Sequence, residues 1–555
     1  MVSDASGAVD AEDVPGNTRS TSLVVRISLA VILVVGAVLR FVGLSFGFPF
    51  RTHPDEWAIV DAAMEMAQRH SFEPATFYRP DHFEIKLNFL IDSLYSQVRY
   101  GLPLELAWDK HEMAFVLIGR GISAAFGVGC VLLAFLIVRR INPIAGLFAA
   151  GLVAVFTPLV MNAHYATPES PQVFFTLLTM YFCMLYLEKP RLWPILAAAA
   201  SIGVAFSIKY PAIITAVVIA AAVSVVAWRQ RSWRVFFGHG AASVGALIAG
   251  IFIISPVLVL DPVRVLDEIG RQGDPVHPGG DGLGWLGNLN FYALGYLSSA
   301  GVLLVIASVG GAVWALWHRR VETLPLWVGL PYWLGLSVVA LHWTRWGMPM
   351  YLTPLLFAGI GIQVFLSWIW GLRLGGNRPV LVTALRVAAV LVVGVLGLNQ
   401  IVAAVAGVST LTAKDTRVAG LEVNKRLGVK AKNTVAEGYS PIIPDAPKPV
   451  FRYFTVKDGQ LRLVSKNPRV KFLIISSGLK DRFMAEAKYV DEQRFYAAVD
   501  TQTTFLEQLT PVAGTGSVWE LWNIPEQIST TSQYWQGGFT GPVLYYYDIS
   551  ALPRG

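Results

Sequence analysis

Long apolar runs alternate with short polar segments from residue 23 to residue 405. Many of these runs approach the ~20 consecutive apolar residues with which a helix crosses the hydrocarbon core of a bilayer. Interpreted as spans, they cover residues 23–44, 113–138, 143–161, 171–187, 192–208, 212–228, 236–260, 291–317, 324–341, 351–370 and 380–405. Helices satisfy their own backbone polar groups, as a bilayer core requires. The pattern therefore predicts an α-helical polytopic membrane protein with about eleven transmembrane helices.

Composition and charge support this interpretation and assign the two sides of the membrane. Hydrophobic residues make up 54% of the chain and charged residues 15%, and the mean hydropathy is +0.53. One set of alternate loops carries the cations Arg139, Arg140, Lys189, Arg191, Arg229, Arg231, Arg234, Arg319, Arg320, Arg373 and Arg378. The positive-inside rule makes these loops and the amino terminus cytoplasmic, and an odd number of spans leaves the carboxyl terminus outside a plasma membrane. The net charge of +7 reflects these span ends, so no nucleic-acid partner is expected.

The polar segments divide the chain into three parts. Residues 1–22 are small and polar and predict a disordered cytoplasmic tail. Residues 23–408 form the predicted membrane domain, with two long outer loops at 45–112 and 261–290. The second loop is rich in Gly, Pro and Asp, and both a mobile lid and a plain linker fit that composition. After residue 408, short β-like runs at 434–437, 470–476 and 518–522 alternate with helical runs at 416–427 and 492–502, which predicts an extracytoplasmic α/β domain over 409–555.

The first polar cluster follows directly after the first apolar run. It contains His53, Asp55 and Glu56 at the start of a predicted helix. Adjacent carboxylates there project about 100° apart, so one can face a reacting hydroxyl while the other positions a helix or a cation. The same residues also suit an ordinary acidic helix amino terminus, which the helix dipole stabilises. Spacing alone leaves both interpretations open.

A second outer loop and several cations lie at the same predicted level. The loop 164–170 holds His164, Tyr165 and Glu169, although Thr-Pro-Glu at 167–169 is also a common helix cap. The candidate cations and their aromatic neighbour are Lys86, Lys209, Tyr210 and Arg345. Cations at the membrane edge either extend into the water phase or hold an anion, and lipid phosphate is the anion found there.

Taken in chain order, these motifs resemble the protein O-mannosyltransferase and aminoarabinose-transferase relatives. Those proteins are polyprenyl-phosphate-sugar-dependent glycosyltransferases with the membrane fold called GT-C. The resemblance extends from about residue 24 to residue 361, with a weaker echo in the outer domain. The motifs that carry it are Phe48-Pro49-Phe50, His53-Pro54-Asp55-Glu56, Ala163-His164-Tyr165-Ala166-Thr167-Pro168-Glu169, Gly203-Val204-Ala205-Phe206-Ser207-Ile208-Lys209-Tyr210 and Arg345 followed by Tyr351-Leu352-Thr353-Pro354.

The resemblance implies roles for individual residues. Asp55 becomes the catalytic carboxylate, with Glu56 beside it, and Glu169 falls where the family has a second acidic residue. Lys86 and Arg345 fall where relatives have cations, and both would bind the carrier phosphate. One departure is Lys86-Leu87-Asn88, where the family usually has Lys-Pro-Pro. The full set of candidate substrate-binding residues is His53, His164, Tyr165, Lys86, Lys209, Tyr210 and Arg345.

The implied activity is transfer of a hexosyl or pentosyl group from a polyprenyl-phosphate-linked donor to a hydroxyl of a protein, lipid or glycan acceptor on the outer face. Asp55 would act as general base, and a single displacement would invert the anomeric centre. No cofactor is assigned, and a divalent metal stays open because His53, Asp55, Glu56, His82, His164 and Glu169 offer suitable ligands without diagnostic spacing. The alternative is a transporter or flippase of a lipid-linked glycan, which predicts polar residues at span centres and paired broken helices.

Overall fold

Long helices form the amino-terminal three quarters of the chain. The computed structural model describes residues 16–51, 53, 55–77, 79–271, 274, 283–372, 379–441, 450–464, 469–511 and 541–554, with side chains from residue 22. Its α-helices up to the outer domain are α1 (Gly16–Phe41), α2 (Trp57–Gln68), α3 (His82–Tyr100), α4 (Leu104–Val138), α5 (Pro143–Val155), α6 (Thr157–Asn162), α7 (Glu169–Glu188), α8 (Leu192–Ile208), α9 (Ala216–Gln230), α10 (Trp233–Ile254), α11 (Pro256–Leu260), α12 (Pro262–Arg271), α13 (Gly284–Trp317), α14 (Gly329–Leu336), α15 (Met348–Gly371) and α16 (Pro379–Leu411).

Eight helices in the described part of the chain are long and apolar enough to cross a membrane, and two shorter apolar helices, α5 and α8, accompany them. These helices confirm the predicted polytopic α-helical membrane protein, while the count of eleven spans stays a prediction. The predicted span 324–341 folds differently, as a 3-10 helix over Val321–Val328 followed by the short α14. Pro325 lies inside this 3-10 helix, and a proline lacks the N–H that a continuous helix needs.

Two predicted polar segments are only partly described. The end of the predicted tail, residues 16–22, already belongs to α1, whereas residues 1–15 lie outside the described residues. The loop 261–290 begins with the amphipathic α12 and ends in α13. Most of its Gly- and Pro-rich centre lies outside the described residues. The two predictions for this segment, a lid and a linker, therefore concern residues outside the described ranges.

The membrane helices pack closely where small residues meet backbone. On α13 and α15, a Cβ added to Gly311 would lie 1.9 Å from the carbonyl oxygen of Phe357, and one added to Gly361 would lie 2.1 Å from that of Ala307. Only glycine permits this approach, which is the usual way that membrane helices gain contact without a hydrophobic driving force between them. The crossing holds α15 in place, and the loop directly before α15 carries Arg345.

The carboxyl-terminal part is a small α/β unit, as predicted. It contains α17 (Thr416–Leu427), β1 (Thr434–Ala436), β2 (Phe454–Lys457), β3 (Gln460–Leu463), β4 (Phe472–Ser476), α18 (Ser477–Met484), α19 (Val490–Gln502), β5 (Thr504–Leu509) and β6 (Leu544–Asp548). The larger sheet has the order β1-β4-β6-β5, with β1 parallel to β4 and the other pairs antiparallel, and β2 pairs with β3 in a hairpin. The predicted strand at 518–522 lies outside the described residues.

The parallel pair in this sheet places two segments beside the membrane helices. Parallel strands end at the same sheet edge, so the chain leaves β1 and β4 on the same side. Tyr439 follows β1, and α18 with Arg482 follows β4. Both side chains line a cavity that they share with residues of the first outer loop and of the segment before α15.

Candidate active site

A cavity of about 560 Å³ lies between the first outer loop, α2, the segment before α15 and the α/β unit. This volume falls in the range of roughly 300–1,000 Å³ that is typical of ligand pockets. Its wall combines acidic, basic and aromatic side chains, and the lining residues are Asp55, Trp57, Ala58, Asp61, Ala62, Met64, Glu65, Thr76, Arg79, Asp81, Leu341, Trp343, Arg345, Trp346, Tyr439 and Arg482.

Asp55 lies between two guanidinium groups in this wall. Its Oδ2 is 2.7 Å from Nη2 of Arg345, and its Oδ1 is 3.5 Å from Nη1 of Arg79. Burial by itself would raise the pKa of Asp55, but the charges of Arg345 and Arg79 outweigh it and lower the pKa below its ordinary value. The side chain is 20% exposed, so the ionised carboxylate is accessible from the cavity.

His53 orients the backbone at Asp55. Its Nδ1 accepts a hydrogen bond from the Asp55 backbone N–H at 3.2 Å, and its ring stacks on Tyr165 with 4.1 Å between centroids. Burial lowers the pKa of His53 to about 4, so the imidazole is neutral at physiological pH and its Nδ1 can accept. The outer loop 45–112 therefore meets the short loop 164–170 here.

Glu169 forms the other end of the charged cluster, at the first residue of α7. Its Oε1 is 2.6 Å from Nζ of Lys209 and 3.7 Å from Nε of Arg345, and its Oε2 has no hydrogen-bond partner among the described residues. The Lys209 ammonium also lies 5.4 Å from the centroid of the Trp346 ring. Arg345 thus bridges the carboxylates of Asp55 and Glu169, which come from two different predicted outer loops.

Glu56 has a different environment from its neighbour. It is fully buried and bidentate to Arg120, with Oε1 2.7 Å from Nε and Oε2 2.9 Å from Nη2. The Ala166 backbone N–H donates to the same Oε1 at 3.2 Å, while Arg120 donates to the carbonyls of Leu44 and Phe46. These bonds connect the outer loop 45–112 to α4 and to the short loop 164–170. Glu56 is not among the residues that line the described cavity.

Three other candidate residues hold structural elements together. The Lys86 ammonium is 2.9 Å from Oε1 of Glu73, and Lys86 is absent from the lining of the described cavity. The Tyr210 hydroxyl donates to the Phe77 carbonyl at 2.8 Å. The two ring nitrogens of His164 each lie 2.9 Å from a backbone carbonyl oxygen, one of Val160 and one of Val42. The structure therefore brings together Asp55, His53, Tyr165, Glu169, Lys209 and Arg345 but leaves Lys86, Tyr210 and His164 outside the cluster.

Sequence reasoning missed two arginines. Arg79 contacts Asp55 and also Asp81, with 2.6 Å between its Nε and Oδ2 of Asp81, and the short motif Arg79-Pro80-Asp81 in a predicted outer loop was an available signal. Arg120 lies alone among apolar residues in the run 113–138, and a cation there is costly unless it is paired. A search for such isolated charges would have found the partner of Glu56.

The side chains in this cluster suit an anionic ligand better than a metal cation. Within the described ranges, no three His, Cys, Asp or Glu side chains form a group that could hold a metal ion. Around Asp55 and Glu169, the positions that a metal would need are occupied by Arg79, Arg345 and Lys209. In contrast, Nη2 of Arg79 and Nε of Arg345 are buried without a hydrogen-bond acceptor among the described residues. Two guanidinium groups therefore have donors available to a phosphate.

The chain matches one family model in the membrane part. Residues 116–259, from α4 to α11, match the family described as dolichyl-phosphate-mannose-protein mannosyltransferase. This segment contains Glu169 and Lys209. The match confirms the resemblance to the GT-C glycosyltransferases over this segment.

Solved structures show weaker similarity. ArnT from Cupriavidus metallidurans bound to undecaprenyl phosphate aligns with a TM-score of 0.43 and 16% identity over 75% of this chain and 74% of that chain. An oligosaccharyltransferase from Archaeoglobus fulgidus aligns with a TM-score of 0.47 and 12% identity over 91% and 75%. The Pmt1-Pmt2 complex of S. cerevisiae bound to the sugar donor aligns with a TM-score of 0.33 and 18% identity over 47% and 36%. No curated protein matches the chain.

Proposed function

We propose that this protein transfers a sugar from a polyprenyl-phosphate donor to an acceptor hydroxyl, with Asp55 as the general base and with inversion at the anomeric carbon. The single observation that supports this most is the bridge that Arg345 forms between Asp55 and Glu169 at a cavity wall. A carboxylate for the acceptor proton and cations for a phosphate leaving group are the two requirements of such a reaction.

In the proposed reaction, the acceptor oxygen attacks the anomeric carbon while Asp55 takes its proton. The bond between that carbon and the phosphate oxygen breaks, and the electron pair leaves with the polyprenyl phosphate. Arg345, Arg79 and Lys209 stabilise the charge that develops on this leaving group. A single in-line displacement inverts the anomeric centre. Asp55 is ionised before the acceptor arrives, since the two arginines lower its pKa.

The same arginines make Asp55 a weak base until the donor binds. Arg345 is 2.7 Å from Asp55 in the structure, and a donor phosphate would compete for that guanidinium. When Arg345 turns towards the phosphate, its charge is partly neutralised and the pKa of Asp55 rises towards the ordinary value. Donor binding therefore prepares the base for the acceptor.

The remaining predicted residues receive supporting roles. Glu169 holds Lys209 and Arg345 at the cluster, and Glu56 is proposed as a positioning residue that acts through the loop carrying Asp55. A phosphate-binding role for Lys86 stays a prediction. A plasma-membrane location, a cytoplasmic amino terminus and a protein, lipid or glycan acceptor also belong to this proposal.

The test compares sugar transfer by the purified protein and by Asp55→Asn in lipid nanodiscs, with a panel of polyprenyl-phosphate sugars as donors. Loss of a general base is expected to lower the rate about 10²- to 10⁴-fold. Asp109→Asn, at an exposed position on α4, is the control and should transfer at the unmodified rate. Unchanged transfer by Asp55→Asn would refute the base assignment. Movement of a lipid-linked glycan across vesicles without any transfer would favour the transporter alternative.

A further inference from the structure

The cavity extends well beyond the charged cluster. Trp57, Asp61 and Glu65 follow one another at four-residue spacing on one face of α2, and all three line the cavity. The distance along the helix from Trp57 to Glu65 is about 12 Å, because each residue adds about 1.5 Å. This row begins two residues after Asp55 and leads away from it. Trp57 is 62% exposed, so its indole ring is accessible to a ligand in the cavity.

Another part of the cavity wall is a row of alternating cations and aromatic rings. The guanidinium of Arg345 lies 5.1 Å from the centroid of Trp343, and that of Arg482 lies 5.5 Å from the same ring. Arg482 is also 5.4 Å from the centroid of Tyr439. These cation–π contacts connect the charged cluster with the α/β unit, so the unit contributes to the cavity wall.

Hydrogen bonds to Glu437 fix the loop that carries Tyr439. Glu437 accepts a hydrogen bond from the Tyr496 hydroxyl at 2.5 Å and another from the Ser476 backbone N–H at 2.8 Å. Tyr439 itself has a φ of 62°, in the left-handed region that non-glycine residues seldom adopt. Such backbone strain is retained where the surrounding structure imposes it, and it occurs preferentially at functional sites.

We propose that this outer half of the cavity is an acceptor subsite for a neutral oligosaccharide, bound between the α2 row and the Trp343–Arg482–Tyr439 row. The inference rests on the proposed function, and it names the acceptor class. Trp and Tyr rings present apolar faces with polar tips, which suit the alternating C–H and hydroxyl surfaces of a sugar ring. Carboxylates accept hydrogen bonds from sugar hydroxyls, and a guanidinium donates hydrogen bonds to the hydroxyl oxygens.

The charges at this end favour a neutral ligand. An anionic headgroup would meet the carboxylates of Asp61 and Glu65, and a cationic peptide would meet Arg482. Asp61 and Glu65 are also paired with Arg51 and Arg69, so the wall has no large excess of either sign. A polyhydroxylated chain can use both kinds of group without having to neutralise either.

The test uses saturation-transfer NMR to measure how short neutral oligosaccharides bind to the full chain in nanodiscs. The oligosaccharides are built from mannose, galactose or arabinofuranose. Binding of at least one of them is expected, and Trp57→Ala and Arg482→Gln should each weaken it about tenfold, the effect of losing an aromatic or arginine anchor. Trp57→Phe, which keeps a ring, should bind with intermediate affinity. The matched controls are Trp228→Ala, at an exposed residue of α9, and Lys480→Gln, on α18 with Asp500 as its partner.

Polyprenyl-phosphate binding, measured on the same samples, separates the two proposals. If polyprenyl phosphate binds and no oligosaccharide does, the acceptor subsite is refuted while the donor site stands. Oligosaccharide binding that is equal in all variants, or binding of serine- and threonine-containing peptides in its place, would refute the subsite as well. If neither polyprenyl phosphate nor any polyprenyl-phosphate sugar binds, the proposed function itself fails.

Discussion

Replacement of Asp55 by asparagine should increase the affinity for polyprenyl phosphate while it lowers the rate of transfer. In the unliganded structure, Asp55 is an internal anion that occupies Arg345 at 2.7 Å and lies 3.5 Å from Arg79. A phosphate that needs the same guanidinium groups must displace it. The asparagine side chain would keep the shape of the aspartate but remove the competing charge.

The magnitude follows from the contact between Asp55 and Arg345. A hydrogen bond to a charged group contributes about 1.5–3 kcal/mol net. The two side chains are 20% and 16% exposed, and the amide oxygen of asparagine still accepts a weaker bond, so the lower figure applies. A gain of about 1.5 kcal/mol corresponds to roughly tenfold tighter binding of polyprenyl phosphate.

The assay is equilibrium binding of polyprenyl phosphate to protein in nanodiscs of neutral lipid, at constant and moderate salt because screening weakens exposed ion pairs. Asp109→Asn serves as the charge-matched control, and its affinity should equal that of the unmodified protein. Equal or weaker binding by Asp55→Asn would refute the competition and would indicate that the phosphate binds away from Arg345.

Further predictions concern the residues that surround the site. Glu56→Gln should lower the free energy of unfolding by about 3–5 kcal/mol, because it leaves a buried arginine without its charge partner, and thermal unfolding measures this. Arg79→Gln should weaken polyprenyl-phosphate binding about tenfold, whereas Lys86→Gln should leave it unchanged; the opposite order would restore the role that the family resemblance implies for Lys86. Burial raises the pKa of Glu437 to about 7 from an ordinary value near 4.5, so the folded state binds the extra proton. Stability should therefore fall by about 2–3 kcal/mol as the pH rises from about 4.5 to 7, and Glu437→Gln should flatten this dependence in thermal unfolding curves recorded across that range.

The neighbouring carboxylates Asp55 and Glu56 show how much of this site can be predicted from the sequence. Their position after the first apolar run fitted both a functional cluster and an ordinary helix start, and the rotation of about 100° per residue allowed two different partners. Which carboxylate would face the cavity was decided by Arg120, whose guanidinium takes both oxygens of Glu56. The cavity lining likewise includes Arg79, which the sequence analysis missed, whereas Lys86 is paired with Glu73 and is absent from that lining.

The sequence by itself indicated the membrane helices, the α/β unit after residue 408, the resemblance to glycosyltransferases and the candidates Asp55, Glu169, Lys209 and Arg345. Apolar periodicity and local motifs carry this information because they depend on residues close together in the chain. Only the tertiary structure decided how these side chains pair and that the α/β unit contributes Tyr439 and Arg482 to the cavity. Such contacts join residues that lie far apart in the chain, and they depend on how helices and strands pack, which no local pattern specifies.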